Sequence, residues 1–292
     1  MAYEIRELQE EDFPKLLFQI EDPPEKLFIA GRLPTPESKF LAVVGSRKYS
    51  GYGKEVCQKL ISGLRNTDMV IVSGLALGID SIAHESALEA GLQTIAIPGS
   101  GLHPEVLYPR TNARLAERIV ENDGALLSEF EERFRATQWS FPQRNRLMAG
   151  MSDAVLIIEA EEKSGTLITA RLAMEYNRDV LVVPGGIFSQ NSVGSNRLLK
   201  DGATPIFKSE DILEALNLTP NPQIQQGSTS LDLGVEEKKI VELLREPLSK
   251  DELLGQLISS AEMDISKANI LLSSMEIKGI IKESYGKIIL NF

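Results

Sequence analysis

Two short polar motifs contain residue types that suit the binding of an anion. They are Arg144-Asn145-Arg146 and Ser164-Gly165-Thr166, and the second is preceded by Lys163. Free backbone N–H groups at the start of a helix attract negative charge, and a glycine lets a ligand approach the backbone closely. Arginine and lysine add positive charge, and the two hydroxyls are short donors. The motifs therefore indicate a phosphate site and not a proton-transfer site.

The elements that must position these motifs follow from the pattern of apolar residues. From Phe40 onward, short apolar runs alternate with amphipathic segments, which predicts an α/β fold with a doubly wound, mostly parallel sheet. Ser164 is expected to open a helix after the buried strand Ala154–Ile158. The other predicted strands are Leu41–Val44, Val70–Val72, Thr94–Ile97, Ala125–Leu127 and Val180–Val183, and predicted helices include Gly53–Leu64, Ile79–Ala90 and Asn112–Asn122.

Small or turn-forming residues follow five of the predicted strands. Ligands of an open α/β sheet bind in the crevice outside the carboxyl ends of its strands. Any one such glycine could simply permit a tight turn, but the five together predict one shared pocket. These turns are Gly45-Ser46-Arg47, Ser73-Gly74, Pro98–Gly101, Ser164–Thr166 and Pro184–Gly186.

Motifs of common nucleotide enzymes are missing. The turn Gly45–Gly53 has neither the G-x-G-x-x-G spacing nor the Walker A pattern. His84 and His103 belong to no metal-ligand pattern, and we expect His84 to be hydrogen-bonded between a helix and the sheet. Asp80 is expected to cap that helix, and Glu129 to be structural. We predict no catalytic residue, no metal site and no cofactor.

Composition limits the kinds of partner. The net charge of −11 over 292 residues argues against nonspecific coating of nucleic acid by the whole surface, although a local basic groove remains compatible with it. Cys57 is the single cysteine, which suits core packing in a reducing compartment. No apolar stretch approaches the length of a membrane span, so we expect a cytoplasmic protein without membrane contact.

Several long motifs occur in an order that points to a known family. They are VVGSRKYSGYG (Val43–Gly53), SGLALGIDSIAH (Ser73–His84), FPQRNRLMAGMSDAVLIIEA (Phe141–Ala160) and KSGTLITARLAMEYNRDVLVVPGG (Lys163–Gly186). With them the chain resembles the DNA-processing protein A family, also called Smf, from roughly Phe13 to Leu216. The resemblance implies an extended Rossmann-like domain and a homodimer that is not an enzyme. It also implies binding of single-stranded DNA, protection of incoming DNA, and loading of the RecA recombinase in natural transformation or recombination.

The resemblance also assigns a DNA-binding role to particular residues. The Gly45 turn would hold one phosphate, the Arg144 triplet would supply cations and an amide, and the Ser164 turn would cradle another phosphate. The Phe141 ring would stack a base, with core packing as the alternative. Such contacts predict sequence-independent, salt-sensitive binding. The predicted DNA-binding residues are Gly45, Ser46, Arg47, Phe141, Arg144, Asn145, Arg146, Lys163, Ser164, Gly165, Thr166 and Asn196.

Four segments are predicted along the chain. Residues 1–38 resemble the family's connector, and we expect no full helical domain in front of the Rossmann-like domain, residues 39–216. Residues 217–234 are predicted as a linker because they carry Pro, Gln and Ser. Residues 235–292 predict three helices and a hairpin around Tyr285-Gly286, as in a small winged-helix domain. This last segment has ten acidic against eight basic residues, which favours a protein contact or a weak accessory role over duplex recognition.

Two other functions remain open from the sequence. One is a nucleotide N-glycosidase resembling the lysine-decarboxylase-like phosphoribohydrolases. Their PGGxGTxxE motif is incomplete here, because Pro184–Gly186 is followed by Ile187-Phe188-Ser189-Gln190. The other is a transcriptional regulator that reads duplex DNA through the winged-helix domain, against which the acidic composition of that segment counts.

Overall fold

The computed structural model describes residues 3–218, 234–244, 248–261, 264–284 and 286–290. Contacts within the chain divide it into two compact units, Met1–Ile224 and Gln225–Phe292. Most of the predicted linker and Tyr285 of the predicted hairpin lie outside the described residues. The exact division into domains therefore stays a prediction.

The described part of the first unit is built around one sheet of nine strands in the order β1-β2-β6-β5-β4-β3-β7-β8-β9. Strands β1 and β2 are antiparallel to their neighbours, and β3 to β9 run parallel. The strands are β1 (Ile5–Glu7), β2 (Phe28–Gly31), β3 (Lys39–Val44), β4 (Met69–Ser73), β5 (Thr94–Ala96), β6 (Ala125–Ser128), β7 (Ala154–Ile157), β8 (Asp179–Val182) and β9 (Thr204–Pro205).

Helices cover both faces of this sheet. They are α1 (Gly51–Ser62), α2 (Ile79–Ala90), α3 (Ala113–Glu121), α4 (Ser140–Met151), α5 (Thr166–Glu175), α6 (Val193–Lys200) and α7 (Ser209–Ala215). Side chains of β3 alternate between two cores: Ala42 and Val44 pack with α4 and α5, while Leu41 and Val43 pack with α1 and α2. Cys57 is buried in the second of these cores, as expected.

The predicted doubly wound sheet is confirmed. All six predicted strands are present with ends shifted by at most two residues, and helix α2 has the predicted bounds. Strands β1, β2 and β9 were not predicted. β1 reads Ile-Arg-Glu and is largely exposed, so it lacks the apolar run that identifies a buried strand.

The chain changes direction across the sheet at β3. From β3 it proceeds outward through β4, β5 and β6, and then returns through α4 to place β7 on the other side of β3. The loops that follow β3 and β7 therefore diverge and leave a crevice at the carboxyl edge. This is the topological switch point at which open α/β sheets bind ligands.

The second unit has the element order helix, strand, helix, helix, strand, strand. The elements are α8 (Val235–Leu243), β10 (Leu248–Ser249), α9 (Lys250–Ala261), α10 (Ile265–Ile277), β11 (Ile281–Ser284) and β12 (Lys287–Leu290). Its strands form an antiparallel sheet in the order β10-β12-β11. The three predicted helices and the paired terminal strands are present, whereas β10 was not predicted. The assignment as a winged helix stays a prediction.

We find no helix among the described residues with the length and apolar character that crossing a membrane requires.

Candidate functional site

A cleft of about 420 Å³ opens at the switch point, beside the ends of β3 and β7. Its walls come from the turn after β3, the first turns of α4 and the start of α5. The walls also include three charged residues that were not predicted as ligand contacts, Lys48, Asp80 and Glu161. The predicted site residues that line it are Gly45, Ser46, Arg47, Phe141, Arg144, Asn145, Ser164, Gly165 and Thr166.

The turn after β3 is packed tightly against the start of α2. A Cβ on Gly45 would lie 2.7 Å from a side-chain carbon of Ile79, so a larger residue does not fit. The Ile79 N–H donates to Ser46 O at 3.2 Å, and the Lys48 N–H donates to Ser46 Oγ at 3.0 Å. These contacts fix the turn that carries the exposed Arg47 and Lys48 into the cleft wall.

Phe141 packs against protein on one side and borders the cleft on another. Its ring centroid lies 5.6 Å from that of Tyr108, with a tilt of 53° between the rings. A Cβ on Gly99 would come within 2.6 Å of the ring, so the backbone there packs closely. The guanidinium carbon of Arg47 lies 5.4 Å from the ring centroid. Phe141 is half-buried, so the ring is partly packed against protein, and its stacking on a base stays a prediction.

Arg144 is a buried cation, which does not suit the direct DNA contact predicted for it. Its side chain is in the wall, but only 4% of the residue is exposed. The guanidinium donates to Gly74 O and Ile97 O, which follow β4 and β5. Burial lowers the pKa of Arg144 to about 10, against the attraction of the Asp80 carboxylate. Arg144 therefore stays protonated at neutral pH and ties together two strand ends under the cleft.

Asp80 and His84 accompany this buried arginine. Asp80 lies in the first turn of α2 and not at its cap, and its Oδ2 accepts from the Gly74 N–H at 3.1 Å. Burial raises the pKa of Asp80 more than the attraction of Arg144 lowers it. His84 is fully buried with Nδ1 2.7 Å from Thr94 Oγ1, which confirms the structural role predicted for it. Burial, and then the charge of Arg144, lower the pKa of His84 to about 3.

Arg146 points away from the cleft. Residues two apart on a helix face nearly opposite directions, so Arg144 and Arg146 cannot serve the same site. Arg146 donates to the Glu129 carboxylate and, at 2.6 Å, to Asp22 O. The predicted DNA contact of Arg146 is thus not supported by its position, whereas the structural role expected for Glu129 is confirmed.

The start of α5 offers hydroxyls more than free N–H groups. The helix begins at Thr166, the last residue of the turn that was predicted to open it. The Thr166 N–H donates to Ser164 Oγ at 3.2 Å, and the Leu167 and Ile168 N–H groups donate to Ser164 O and Gly165 O. A Cβ on Gly165 would meet nothing within 4 Å, so this glycine faces open space. A ligand would therefore meet the Gly165 backbone and the hydroxyls of Ser164 and Thr166.

Two other predicted contacts lie outside the cleft walls. Lys163 is exposed beside Ser164 but is not among the lining residues. The side-chain amide of Asn196 is hydrogen-bonded to the backbone of Gly185. It donates to the Gly185 carbonyl at 3.0 Å and accepts from the Gly185 N–H at 3.2 Å. The expectation that all five turns line one pocket is also wrong. Only the Gly45 and Ser164 turns do, while Gly74 borders a small adjoining cavity of about 30 Å³.

Comparison with known proteins decides the family. The family model described as DNA recombination-mediator protein A matches residues 4–217. The chain belongs to this family. The resemblance inferred from the motifs is thereby confirmed, and the match also includes β1 and β2.

Relatives and solved structures agree with this assignment. Protein Smf of Escherichia coli is 42% identical over 206 residues, which are 70% of this chain and 54% of that protein. DNA processing protein DprA of Streptococcus pneumoniae is 42% identical over 201 residues, 69% of this chain and 70% of that one. The match thus spans about half of the E. coli protein.

Among solved structures, DprA of S. pneumoniae has a TM-score of 0.68 at 40% identity, covering 72% of this chain and 74% of that one. A structure that addresses the single-stranded DNA binding mode of DNA processing protein A from Helicobacter pylori has a TM-score of 0.65 at 33% identity. It covers 74% of this chain and 96% of that one.

Proposed function

We propose that this chain binds single-stranded DNA, without base preference, in the cleft beside β3 and β7. The observation that carries the proposal is the combination, in one cleft, of the exposed Arg47, the Phe141 ring and the hydroxyls of Ser164 and Thr166. Support comes from the relative in H. pylori, whose structure addresses binding of single-stranded DNA.

Each part of the cleft suits one part of a nucleotide. Arg47 and Lys48 neutralise phosphates. The Thr166 hydroxyl accepts from the Ser164 hydroxyl at 3.0 Å and can donate its own proton to a phosphate oxygen. The ring of Phe141 stacks a base, a contact worth about 1–3 kcal/mol and tolerant of sequence. Phosphate contact and stacking carry no base-edge information, so the expected binding is sequence-independent. The chain as a whole has a net charge of −11 and repels DNA. Binding is therefore confined to the cleft, where cations are exposed.

Fluorescence anisotropy with a labelled oligothymidine and with its duplex, at two salt concentrations, tests this proposal. We expect a preference for the single strand and an affinity that falls as salt rises, because bound phosphates release counterions. Equal affinity for both forms would contradict the proposal. Tight binding of one duplex sequence with weak single-strand binding would favour the regulator instead.

Delivery of the bound strand to RecA, in transformation or recombination in the cytoplasm, is part of the same proposal and rests on the resemblance alone. The proposal of a homodimer also rests on the resemblance alone. We expect the chain to speed assembly of RecA on DNA already covered by a single-strand-binding protein, and light scattering to give a mass near twice 32.2 kDa. No effect on RecA assembly would remove the first claim, and a purely monomeric species the second.

We propose binding without catalysis. The described residues include no group of three or more His, Cys, Asp or Glu placed to hold a metal ion. The Pro184–Gly186 turn, where a phosphoribohydrolase would place its motif, is not among the residues of the cleft wall. Release of a free base from AMP by the purified chain would contradict this proposal.

A further inference from the structure

The loop from Pro184 to Asn191, between β8 and α6, exposes two adjacent apolar side chains. Ile187 is 80% exposed and Phe188 is 94% exposed. Single apolar residues on a surface are common, whereas an adjacent exposed pair on a loop held in place indicates a contact surface. The cleft proposed above does not include either side chain.

This loop is held at both of its ends. At the start, Asn196 bonds both backbone groups of Gly185, and the Tyr52 hydroxyl donates to Pro184 O at 2.7 Å. At the end, Asn191 Nδ2 donates to Lys48 O at 3.0 Å. The bonds to Lys48 and Tyr52 connect the loop with the segment that follows β3. Ile187 and Phe188 therefore extend from a defined position.

The segment that receives these bonds leads directly into the cleft. Lys48 is part of the cleft wall, and the same segment exposes the rings of Tyr49 and Tyr52 by 43% and 50%. The loop and the segment together, Lys48–Tyr52 with Pro184–Asn191, form what we call the aromatic rim. It combines exposed rings with a cation. Lys48 belongs both to the rim and to the cleft wall, so the two surfaces adjoin.

We propose that the aromatic rim is a second contact for single-stranded nucleic acid, which receives the nucleotides that leave the cleft past Lys48. Phe188 stacks a base, the tyrosines supply further ring surface, and Lys48 neutralises the phosphate between the two contacts. This inference rests on the proposed function of the cleft. The rim is joined to the cleft through Lys48, which favours a continuing nucleic acid strand over a separate protein partner.

Asn196 acquires a role in this arrangement. It contributes no group to the cleft wall, but its paired bonds to Gly185 fix the start of the loop that carries Phe188. Asn196 is thus a positioning residue for the aromatic rim. Its predicted importance for DNA binding is retained through this indirect route.

The test compares oligothymidines of about 4 and about 16 nucleotides, the range of single-strand site sizes in small binding domains. The first reaches the cleft alone, and the second reaches both contacts. We expect Phe188→Ala to weaken binding of the longer strand about five- to 160-fold, the range that removal of one stacking ring produces. It should leave the shorter strand unchanged. Phe188→Trp should retain the wild-type affinity for both.

Phe207→Ala is the matched control, because Phe207 is also well exposed, at 75%, and is not part of the cleft or the rim. It should change neither affinity. Asn196→Ala should weaken binding of the longer strand, and combination with Phe188→Ala should weaken it little further, since both changes act on one contact.

Four results would overturn the inference. Unchanged binding of both strands by Phe188→Ala would remove the rim and leave the cleft intact. Equal weakening of both strands would place Phe188 within the first contact. Unchanged DNA binding with loss of a self-associated species in light scattering would assign the loop to contacts between copies of the chain. If the wild-type chain binds neither strand, the proposed function fails together with the inference.

Discussion

Arg47 lies over the ring of Phe141, with 5.4 Å between its guanidinium carbon and the ring centroid. The two residues come from opposite sides of the switch point, one from the turn after β3 and the other from the first turn of α4. A cation over an exposed aromatic face contributes about 0.5–1 kcal/mol. The contact places the positive charge of the exposed Arg47 beside the ring that is proposed to stack a base.

Removal of this arginine should weaken binding without harming the fold. We expect Arg47→Ala to cost about 1.5–3 kcal/mol of binding free energy for oligothymidine, the range for a hydrogen bond to a charged group. The slope of log affinity against log salt should also become shallower by about 0.7, the value for one phosphate on a single strand. Fluorescence anisotropy across a salt series measures both quantities.

Arg65→Ala is the control for this experiment, because Arg65 is exposed and follows α1, at the edge of the sheet opposite the cleft. It should leave the affinity unchanged. If both variants lose the same affinity, general charge and not the cleft determines binding.

Arg144 should matter for stability more than for contact with a ligand. Its replacement by alanine leaves Gly74 O and Ile97 O without their donor and the buried Asp80 without its neighbouring cation. We expect a loss of roughly 3 kcal/mol in the free energy of unfolding. Urea unfolding followed through Trp139, the only tryptophan of the chain, reports on the first unit. A variant with wild-type stability but impaired binding would show instead that Arg144 contacts the ligand directly.

Much of the fold could be predicted because a parallel sheet buries both faces of its strands. The runs at Leu41–Val44 and Ala154–Ile158 carry almost only apolar residues, and their ends bring the Gly45 and Ser164 turns to one cleft. The orientation of Arg144 could not be predicted. It depends on carbonyls contributed by Gly74 and Ile97, which are distant in the chain, and on a helix α4 whose mixed composition gave no clear period.

The same limit applies to the contacts of Asn196 and Asp80. Their residue types suit ligand contact or helix capping, but both side chains are used by a nearby glycine backbone. The bond between Asp80 and the Gly74 N–H could have been anticipated, because Asp80 follows this glycine at a strand end by only six residues. Its neighbour in space, Arg144, is visible only in the folded chain.

His84 should make stability depend on pH. The fold lowers its pKa from 6.5 to about 3, so between these values the unfolded chain binds the additional proton. Stability therefore falls as pH falls, and the change from pH 7 to pH 5 should cost about 2 kcal/mol through this group. Urea unfolding at both pH values measures the loss.

His84→Gln isolates this contribution. Glutamine does not titrate, so the difference in pH dependence between variant and wild type should equal the part due to His84. The pKa of Asp80 is raised in the fold, so its contribution to stability falls as pH rises, which is opposite in sign to that of His84. Since Asp80 is present in both proteins, its contribution cancels in the comparison. Identical pH dependence of the two would mean that the imidazole is not buried in its neutral form.

Two glycines of the cleft should respond differently to the addition of a methyl group. At Gly165 a Cβ meets nothing within 4 Å, so Gly165→Ala should fold with unchanged stability. Its methyl group would nevertheless occupy the space through which a phosphate approaches, and binding should weaken by about 1 kcal/mol or more. At Gly45 the Cβ meets Ile79, and Gly45→Ala should lose about 1–3 kcal/mol of stability through overpacking.

Thermal unfolding and anisotropy on the two glycine variants separate the effects. Unaltered binding by Gly165→Ala would indicate that no ligand approaches the start of α5. A fully stable Gly45→Ala would contradict the tight packing of the turn after β3.

A crystal structure of the chain with a bound oligothymidine tests the cleft most directly. We expect a phosphate within hydrogen-bond distance of Arg47 and of the Ser164 or Thr166 hydroxyl, with a base against the ring of Phe141. Nucleotides bound at another surface, with the cleft beside β3 and β7 empty, would contradict it.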